Sequence, residues 1–247
     1  MIKKLGQNFL IDQQVAEREV AYAEMTKGDV VLEIGPGKGI LTTKLAEKAK
    51  KVIAIEIDKQ LIEHLYDIIP QNVELINNDA LKVDFATLPT FNKIVSNLPF
   101  QISSPITFKF LKHKFDVAVL IYQKEFADRM VARPGSKDYS RLSVNTYYRA
   151  KCKILEKVPK NLFYPQPKVD SCMIELKPRT SPPFSVESES FFFELTNKLF
   201  NHRRKKIKTI LCKIYGQLGR GVPYLNKRVE ELNPEQIGEL SDILVGL

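Results

Sequence analysis

Apolar and polar positions along this chain follow two rhythms, and the switch between them recurs through most of its length. Runs that are apolar nearly throughout fall at 29–34, 52–58, 73–76, 94–95 and 117–122. Their length and β-branched content are those of strands buried on both faces of a parallel sheet. Between them, apolar residues recur at helical spacing: Ile40, Leu41, Leu45 and Ala46, then Leu61, Ile62 and Leu65, then Ile106, Phe108, Phe110 and Leu111. A further helix, capped by Asp12, is predicted to run to about Met25, and another near 124–132. Two later strands are expected near 152–158 and 169–176. Strands alternating with helices predict an α/β fold with a mostly parallel sheet.

The rhythm changes once. Pro178-Arg179-Thr180-Ser181-Pro182-Pro183 is proline-rich and aperiodic, and the chain beyond it is patterned as helix throughout. The expected organisation is an α/β domain at 1–178 and a smaller all-helical domain at 179–247. The polar loop 133–138 is expected to be a mobile connection, with contact to a substrate as the alternative.

At 247 residues with 44% hydrophobic content, the chain is long enough to bury a large core. The formal charge of +9 favours an anionic partner such as nucleic acid. Cys152, Cys172 and Cys212 form no CxxC pair, which argues against a disulfide framework or zinc site and for a reducing compartment. His64, His113 and His202 have no ligand-like spacing, so no metal is expected. Residues 1–5 lack the apolar run of a signal peptide, and no stretch is long enough to cross a bilayer. The expectation is a cytoplasmic protein without a membrane partner.

Candidate chemistry gathers at strand ends. The run 29–34 leads directly into Gly35-Pro36-Gly37-Lys38-Gly39 and then a helix, the opening turn of a nucleotide-binding unit. The next strand carries Glu56, seventeen positions after Gly39, where a carboxylate accepts hydrogen bonds from ribose hydroxyls. Asp79 follows a third strand; it reads either as an acceptor for an adenine amino group or as a turn former. Asn97-Leu98-Pro99-Phe100 follows a fourth. Asn97 offers an amide oxygen, Pro99 stiffens the segment, and Phe100 offers a stacking face. Leu5-Gly6-Gln7-Asn8-Phe9-Leu10 reads equally as a segment that folds over a ligand and as a plain arm.

Two cofactors suit the glycine loop and Glu56: a nicotinamide dinucleotide and S-adenosylmethionine. The loop lacks the third glycine of the dinucleotide fingerprint, and no histidine or lysine is set up as a hydride-transfer acid or base. Amino-group methylation, by contrast, gives the 97–100 segment a task. An adenine amino nitrogen is a weak nucleophile until acceptors draw its hydrogens out of the ring plane, and Asn97 and the Leu98 carbonyl are two such acceptors. Phe100 and Phe163 are candidates for the two faces of the base, although an isolated phenylalanine such as Phe163 is more often a buried loop anchor. Between Lys198 and Lys213 stand seven Lys/Arg and no acid, read as a helix with a phosphate-binding face or a solvated one.

Five motifs occur here in one order: Leu5-Gly6-Gln7-Asn8-Phe9-Leu10, Glu33-Ile34-Gly35-Pro36-Gly37-Lys38-Gly39, Asn97-Leu98-Pro99-Phe100, the run from Phe163 to Ser171 containing Pro165-Gln166-Pro167-Lys168, and Phe200-Asn201-His202-Arg203-Arg204-Lys205. Together they resemble the ribosomal RNA adenine dimethyltransferases of the KsgA type, over nearly the whole chain. Phe100 stands where many members have tyrosine, and Ser103-Ser104-Pro105 resembles archaeal and eukaryotic members. The resemblance implies a Rossmann-like class I methyltransferase domain and S-adenosylmethionine as cofactor. It implies cofactor contacts at Gln7, Asn8, Leu10, Gly35, Gly37, Glu56, Ile57, Asp79, Ala80 and Asn97. It implies a catalytic motif at Asn97, Leu98, Pro99 and Phe100, and base-holding aromatics at Phe100 and Phe163. In the basic run, helical spacing turns Phe200, Ile207, Ile210 and Leu211 toward the core and leaves Arg203, Arg204, Lys205 and Lys208 as the expected RNA phosphate contacts. The implied partner is the small ribosomal subunit, dimethylated at two adjacent adenosines near the 3′ end of its RNA by a monomeric enzyme. The alternatives are an Erm-type enzyme acting on large-subunit RNA and a non-catalytic RNA-binding or transcription-associated relative.

Overall fold

In the computed structural model, residues 7–219 and 221–245 are described; Leu5-Gly6 of the first motif and the start of the chain lie outside them. The elements in order are β1 (Phe9–Leu10), α1 (Gln13–Tyr22), β2 (Val30–Ile34), α2 (Ile40–Lys48), β3 (Lys51–Glu56), α3 (Lys59–Tyr66), β4 (Val73–Asn77), β5 (Lys93–Asn97), α4 (Ser103–Phe110), β6 (Val117–Gln123), α5 (Lys124–Met130), α6 (Arg141–Arg149), β7 (Ala150–Val158), β8 (Phe163–Tyr164), β9 (Ser171–Pro178), α7 (Glu189–Asn201), α8 (Ile207–Tyr215) and α9 (Pro234–Val245).

Seven strands form one sheet in the order β4-β3-β2-β5-β6-β9-β7. The first five run parallel, and β9 pairs antiparallel with β6 from Ala118↔Leu176 to Gln123↔Ser171. The expected mostly parallel sheet is what forms. Connections after β2 run one way along the sheet and those after β5 run the other, so the order reverses between β2 and β5. In open α/β sheets, that reversal is where ligands bind.

Two of the helices start on side-chain caps. Asp12 caps α1 by accepting from Val15 N, and Asp58 caps α3 by accepting from Gln60 N. The sequence pattern extends β3 to Asp58; the strand instead ends at Glu56, because Asp58 serves as that cap. Val15, Ala16 and Val20 of α1 and Leu41, Leu45 and Ala46 of α2 join Val31, Val52, Val95 and Val119 of the sheet in one buried cluster. Burying one such aliphatic side chain stabilises the fold by roughly 1.5–3 kcal/mol.

The chain divides into two compact units: the described residues through Ala127 with Cys152–Pro178, and Asp128–Lys151 with the described residues from Arg179 on. The chain passes from the first unit to the second after Pro178, and residues 128–151 group with the second unit and not with the rest of the expected 1–178 domain. The reason is aromatic packing. Tyr148 of α6, a helix that the sequence pattern does not predict, has ring centroids 5.1 Å from Phe184, 5.1 Å from Phe192 and 5.5 Å from Phe193. With Tyr139 and Val144 it belongs to the core of α7, α8 and α9, alongside Leu195, Leu199, Ile210 and Leu240.

The first unit also buries acids. Glu33 on β2 is 1% exposed, and burial, reinforced by the Glu56 carboxyl, pushes its pKa up to about 8. Glu19 on α1 is wholly buried, and neither carboxyl oxygen has a partner among the described residues; burial foremost, then the Glu33 carboxyl, raises its pKa well above the ordinary range. The folded chain therefore keeps a proton on Glu33 that the unfolded chain loses near pH 4.5. That contribution to stability is fully present below about pH 4.5 and is lost as pH rises toward 8. Glu33→Gln is expected to flatten the decline in stability between pH 5 and 8, where one such proton contributes up to about 1.4 kcal/mol per pH unit. Urea unfolding at several pH values checks this; parallel curves for variant and wild type would contradict it.

Candidate active site

Backbone pairing between β2 and β5 is short, with register Val31↔Lys93 and Leu32↔Ile94. Beyond Leu32 the strands part, and the buried Ser96 hydroxyl spans the gap. It donates to the Ile34 carbonyl at 2.6 Å and accepts from Ile34 N at 3.3 Å. β5 meanwhile stays paired with β6 to its last residue, Asn97↔Ile121. The result is a cleft with the glycine loop on one side and the 97–100 segment on the other.

The two sides touch through a proline. Gly35 has φ +71°, and a Cβ there would lie 3.1 Å from Cγ of Pro99. Gly37 has φ +59°, and a Cβ there would lie 2.9 Å from the Phe9 ring. Glycine is required at both positions, by backbone conformation and by the approach of a ring. The Phe9 ring also lies under the Lys38 ammonium at 5.5 Å. The arm therefore folds over the glycine loop.

The arm is held in place by a ribbon that the sequence does not announce. β1 pairs antiparallel with β8, Phe9↔Tyr164 and Leu10↔Phe163, and Asn8 Nδ2 donates to the Pro165 carbonyl at 2.6 Å. Gln7 Nε2 donates to Asp58 Oδ2 at 3.3 Å across the mouth of the cleft.

The cleft holds about 840 Å³ of empty space, open mouth included. Its walls contain nearly all the expected cofactor residues: Gln7, Asn8, Gly35, Gly37, Glu56, Ile57, Asp79, Ala80 and Asn97, with Leu98, Pro99 and Phe100. Leu10 is set apart; it is buried and lines a smaller cavity of about 350 Å³, shared with Asn8, Glu33, Gly35 and Asn97. Ile55, Asn78, Gln101 and Ile102 also line the main cleft without having been anticipated. Their positions beside Glu56, Asp79 and Phe100 were the signal that could have found them.

Glu56 is 4% exposed, with Oε2 accepting from Gly37 N at 3.3 Å and Oε1 from Asp58 N at 2.9 Å. Burial raises its pKa, and the backbone bonds from Asp58 and Gly37 oppose the shift. Each oxygen keeps acceptor capacity toward the cleft. Asp79 Oδ1 accepts from Leu81 N at 2.9 Å, so it is a turn former and a cleft residue at once. Among the described residues, nothing hydrogen-bonds to the Asn97 side-chain amide. These acceptors, beside a glycine backbone and the half-exposed Phe100 ring, suit an adenosine-containing ligand next to a second planar base.

Residues 2–244 match the ribosomal RNA adenine dimethylase family. The chain belongs to that family. A relative from Methanosarcina acetivorans, named as a probable ribosomal RNA small subunit methyltransferase A, is 47% identical over 98% of this chain and 93% of its own. The relative of the same name from Thermococcus onnurineus is 48% identical over 97% and 91%. Among solved structures, a dimethyladenosine transferase from Plasmodium falciparum matches with a TM-score of 0.78 at 31% identity, covering 94% of this chain and 95% of that one. The 23S rRNA methyltransferase ErmE matches at 0.67 and 30%, covering 95% and 100%. The chain is thus an enzyme of the rRNA adenine dimethyltransferase family with a Rossmann-like fold.

Two expectations for this family member need correction. Phe163 is not presented as a stacking surface. Its ring is 2% exposed and packs in the core with Leu10 and Val158, and it does not line the cleft. Pairing in the β1–β8 ribbon turns Phe163 inward and leaves its neighbour Tyr164 65% exposed. Arg203 is the other case. Its Nε donates to Glu230 Oε2 at 2.6 Å, Nη1 to the Lys137 carbonyl at 2.7 Å and Nη2 to the Ser136 carbonyl at 3.0 Å. The guanidinium staples the 133–138 loop to the segment before α9. Nor is the basic run one continuous helix: residues 203–206 form the turn between α7 and α8, where Arg204 and Lys205 are exposed, while Lys208 is exposed on α8.

Arg203→Gln is therefore expected to destabilise the second unit by about 1.5–3 kcal/mol, the range for hydrogen bonds to charged groups. Arg204→Gln and Lys205→Gln are expected to stay within about 0.5 kcal/mol of wild type. Equal urea midpoints for all three variants would contradict the staple.

Proposed function

We propose that this enzyme transfers methyl groups from S-adenosylmethionine to the exocyclic amino groups of two adjacent adenosines near the 3′ end of small-subunit ribosomal RNA. The observation that carries the reading is that Asn97 and Leu98 share one cleft with Glu56 and the glycine loop. The electrostatics of that cleft favour this cofactor over a dinucleotide. Among the described residues, its walls carry two acids, Glu56 and Asp79, and no Lys or Arg, in a chain of net charge +9. Such a lining repels a pyrophosphate and attracts a sulfonium cation.

When bound, S-adenosylmethionine supplies an electrophilic methyl group on a positively charged sulfur. Glu56 would hold the ribose hydroxyls, Asp79 and Ala80 the adenine, and the Gly35 and Gly37 backbone, with Gln7 and Asn8, the remainder. Asn97 and the Leu98 carbonyl then act on the substrate. Accepting both hydrogens of the substrate adenine's amino group, they draw it out of the ring plane and free its lone pair on the cofactor side. The same acceptors, or water, take the proton released as the new C–N bond replaces the methyl group's bond to sulfur, whose electron pair stays on sulfur. Phe100 stacks on the base. Catalysis by these residues is placement and electrostatics.

The relatives near 47% identity carry a small-subunit name, whereas the large-subunit enzyme ErmE is 30% identical, which supports the small subunit as substrate. On the second unit, Arg204, Lys205 and Lys208 are the residues proposed to meet RNA phosphates, and Arg203 is withdrawn from that set.

Asn97→Ala is expected to slow single-turnover methylation of unmethylated small subunits by about 100-fold or more, the scale for a group that acts mainly in the transition state. Subunit affinity should hardly change. A normal chemical step in this variant would sink the mechanism.

Replacing Arg204, Lys205 and Lys208 with Gln is expected to flatten the salt dependence of small-subunit binding by about two units, each phosphate contact contributing ~0.7 to 0.9. An unchanged slope would mean that the basic turn is a solvated surface.

A further inference from the structure

The turn that carries Asp79 is gripped from outside the cleft. Lys109, in the last turn of α4, donates from Nζ to the Ala80 carbonyl at 2.9 Å, to the Leu81 carbonyl at 3.2 Å and to the Val83 carbonyl. An ammonium has three protons, and here three carbonyls take them. The same ammonium stands 4.2 Å from the centroid of the buried Phe85 ring, which packs on Phe110 of α4. Partial burial lowers the Lys109 pKa, with Asp84 and Asp79 opposing the shift. A compact point charge with freely rotating donors can gather three carbonyls of one tight turn in a way that a planar guanidinium cannot.

The turn is also tied within itself. The Asp79 carbonyl accepts from Lys82 N at 2.8 Å and from Val83 N at 3.1 Å, and Asp79 Oδ1 accepts from Leu81 N. The carbonyls left facing outward are those that Lys109 collects. The start of α4 follows directly on the short helical turn Phe100–Ile102, which begins with the last residue of the catalytic segment. That turn and α4 in succession therefore lead from Phe100 to the residue that grips the Asp79-Ala80 turn.

We infer that Lys109 is a positioning residue that fixes the Asp79-Ala80 turn, and with it the adenine end of the cofactor cleft, to α4, the helix that follows the catalytic segment. The inference rests on the proposed placement of the cofactor adenine at Asp79. Lys109 does not line the cleft and acts only through the turn. Holding an acceptor in place matters because a misplacement of about 1 Å removes most of the value of a positioned group.

The test is calorimetric. Binding of S-adenosylhomocysteine is compared with binding of its inosine analogue, in which the adenine amino group is replaced by oxygen, for wild type, Lys109→Met and Lys109→Gln. Wild type is expected to prefer the adenine ligand by about tenfold, the scale for one hydrogen bond to a charged group. Lys109→Met should weaken S-adenosylhomocysteine by about the same factor, move the inosine analogue by less than about threefold, and so erase most of the discrimination. Lys109→Gln, which keeps part of the donor set, should fall between and serves if the methionine variant does not fold. Equal discrimination in wild type and variants, whether or not both ligands weaken together, overturns the role of Lys109 alone. Failure of the wild type to discriminate overturns the placement of adenine at Asp79, and the role of Lys109 with it.

Discussion

Strands β2 and β5 pair at Val31 and Leu32 and then part, and the Ser96 hydroxyl holds the parting at a fixed width. Parallel strands that separate leave backbone groups without ladder partners, and in a buried sheet that is costly unless something else satisfies them. Ser96 satisfies both the N–H and the carbonyl of Ile34, so the glycine loop can turn away while Asn97 continues straight on against β6. Pro99 then lies so near Gly35 that a Cβ there would come within 3.1 Å of its ring, which keeps the two motifs close across the gap. The site follows from that constraint, since the residues on either rim are simply those that come next in the chain.

Charge in the first unit is arranged against the net charge of the chain. A protein of charge +9 has a cleft walled by acids and a buried carboxyl, Glu33, just behind the glycine loop. Burial raises the pKa of both Glu33 and Glu56. A cationic ligand close by would favour the ionised forms and so bind more tightly as the carboxyls lose their protons. The second unit carries exposed Arg204, Lys205 and Lys208 at and beside a helix–helix turn, where side chains can reach a phosphate backbone without leaving a core position empty.

Most of the first unit was legible in sequence because its signals are local. Strands that are apolar on both faces, glycines at forced conformations and acids at strand ends each follow from a few adjacent residues. What escaped was long-range. The β1–β8 ribbon joins two-residue strands more than 150 positions apart, and neither has a periodic signature; it is this pairing that buries Phe163. α6 was missed because its buried face mixes Leu142, Val144 and Tyr148 with Ser143 and Thr146, and its membership of the second unit is decided by the contacts of Tyr148 with Phe184, Phe192 and Phe193. Arg203 looked like its neighbours in a basic run, and only the fold shows that Glu230 and two loop carbonyls occupy it. A run of like charges records composition, whereas the fate of each charge depends on what the fold brings beside it.

The claim on which the account rests is that the β2–β5 cleft delivers methyl groups to adenosine amino nitrogens of small-subunit RNA. Unmethylated small and large subunits, each incubated with the enzyme and methyl-deuterated S-adenosylmethionine, would be digested to nucleosides and weighed by mass spectrometry. The account predicts N6,N6-dimethyladenosine carrying two deuterated methyl groups, from the 3′ region of small-subunit RNA and not from large-subunit RNA. Label on another atom or nucleoside, or confined to large-subunit RNA, would contradict it.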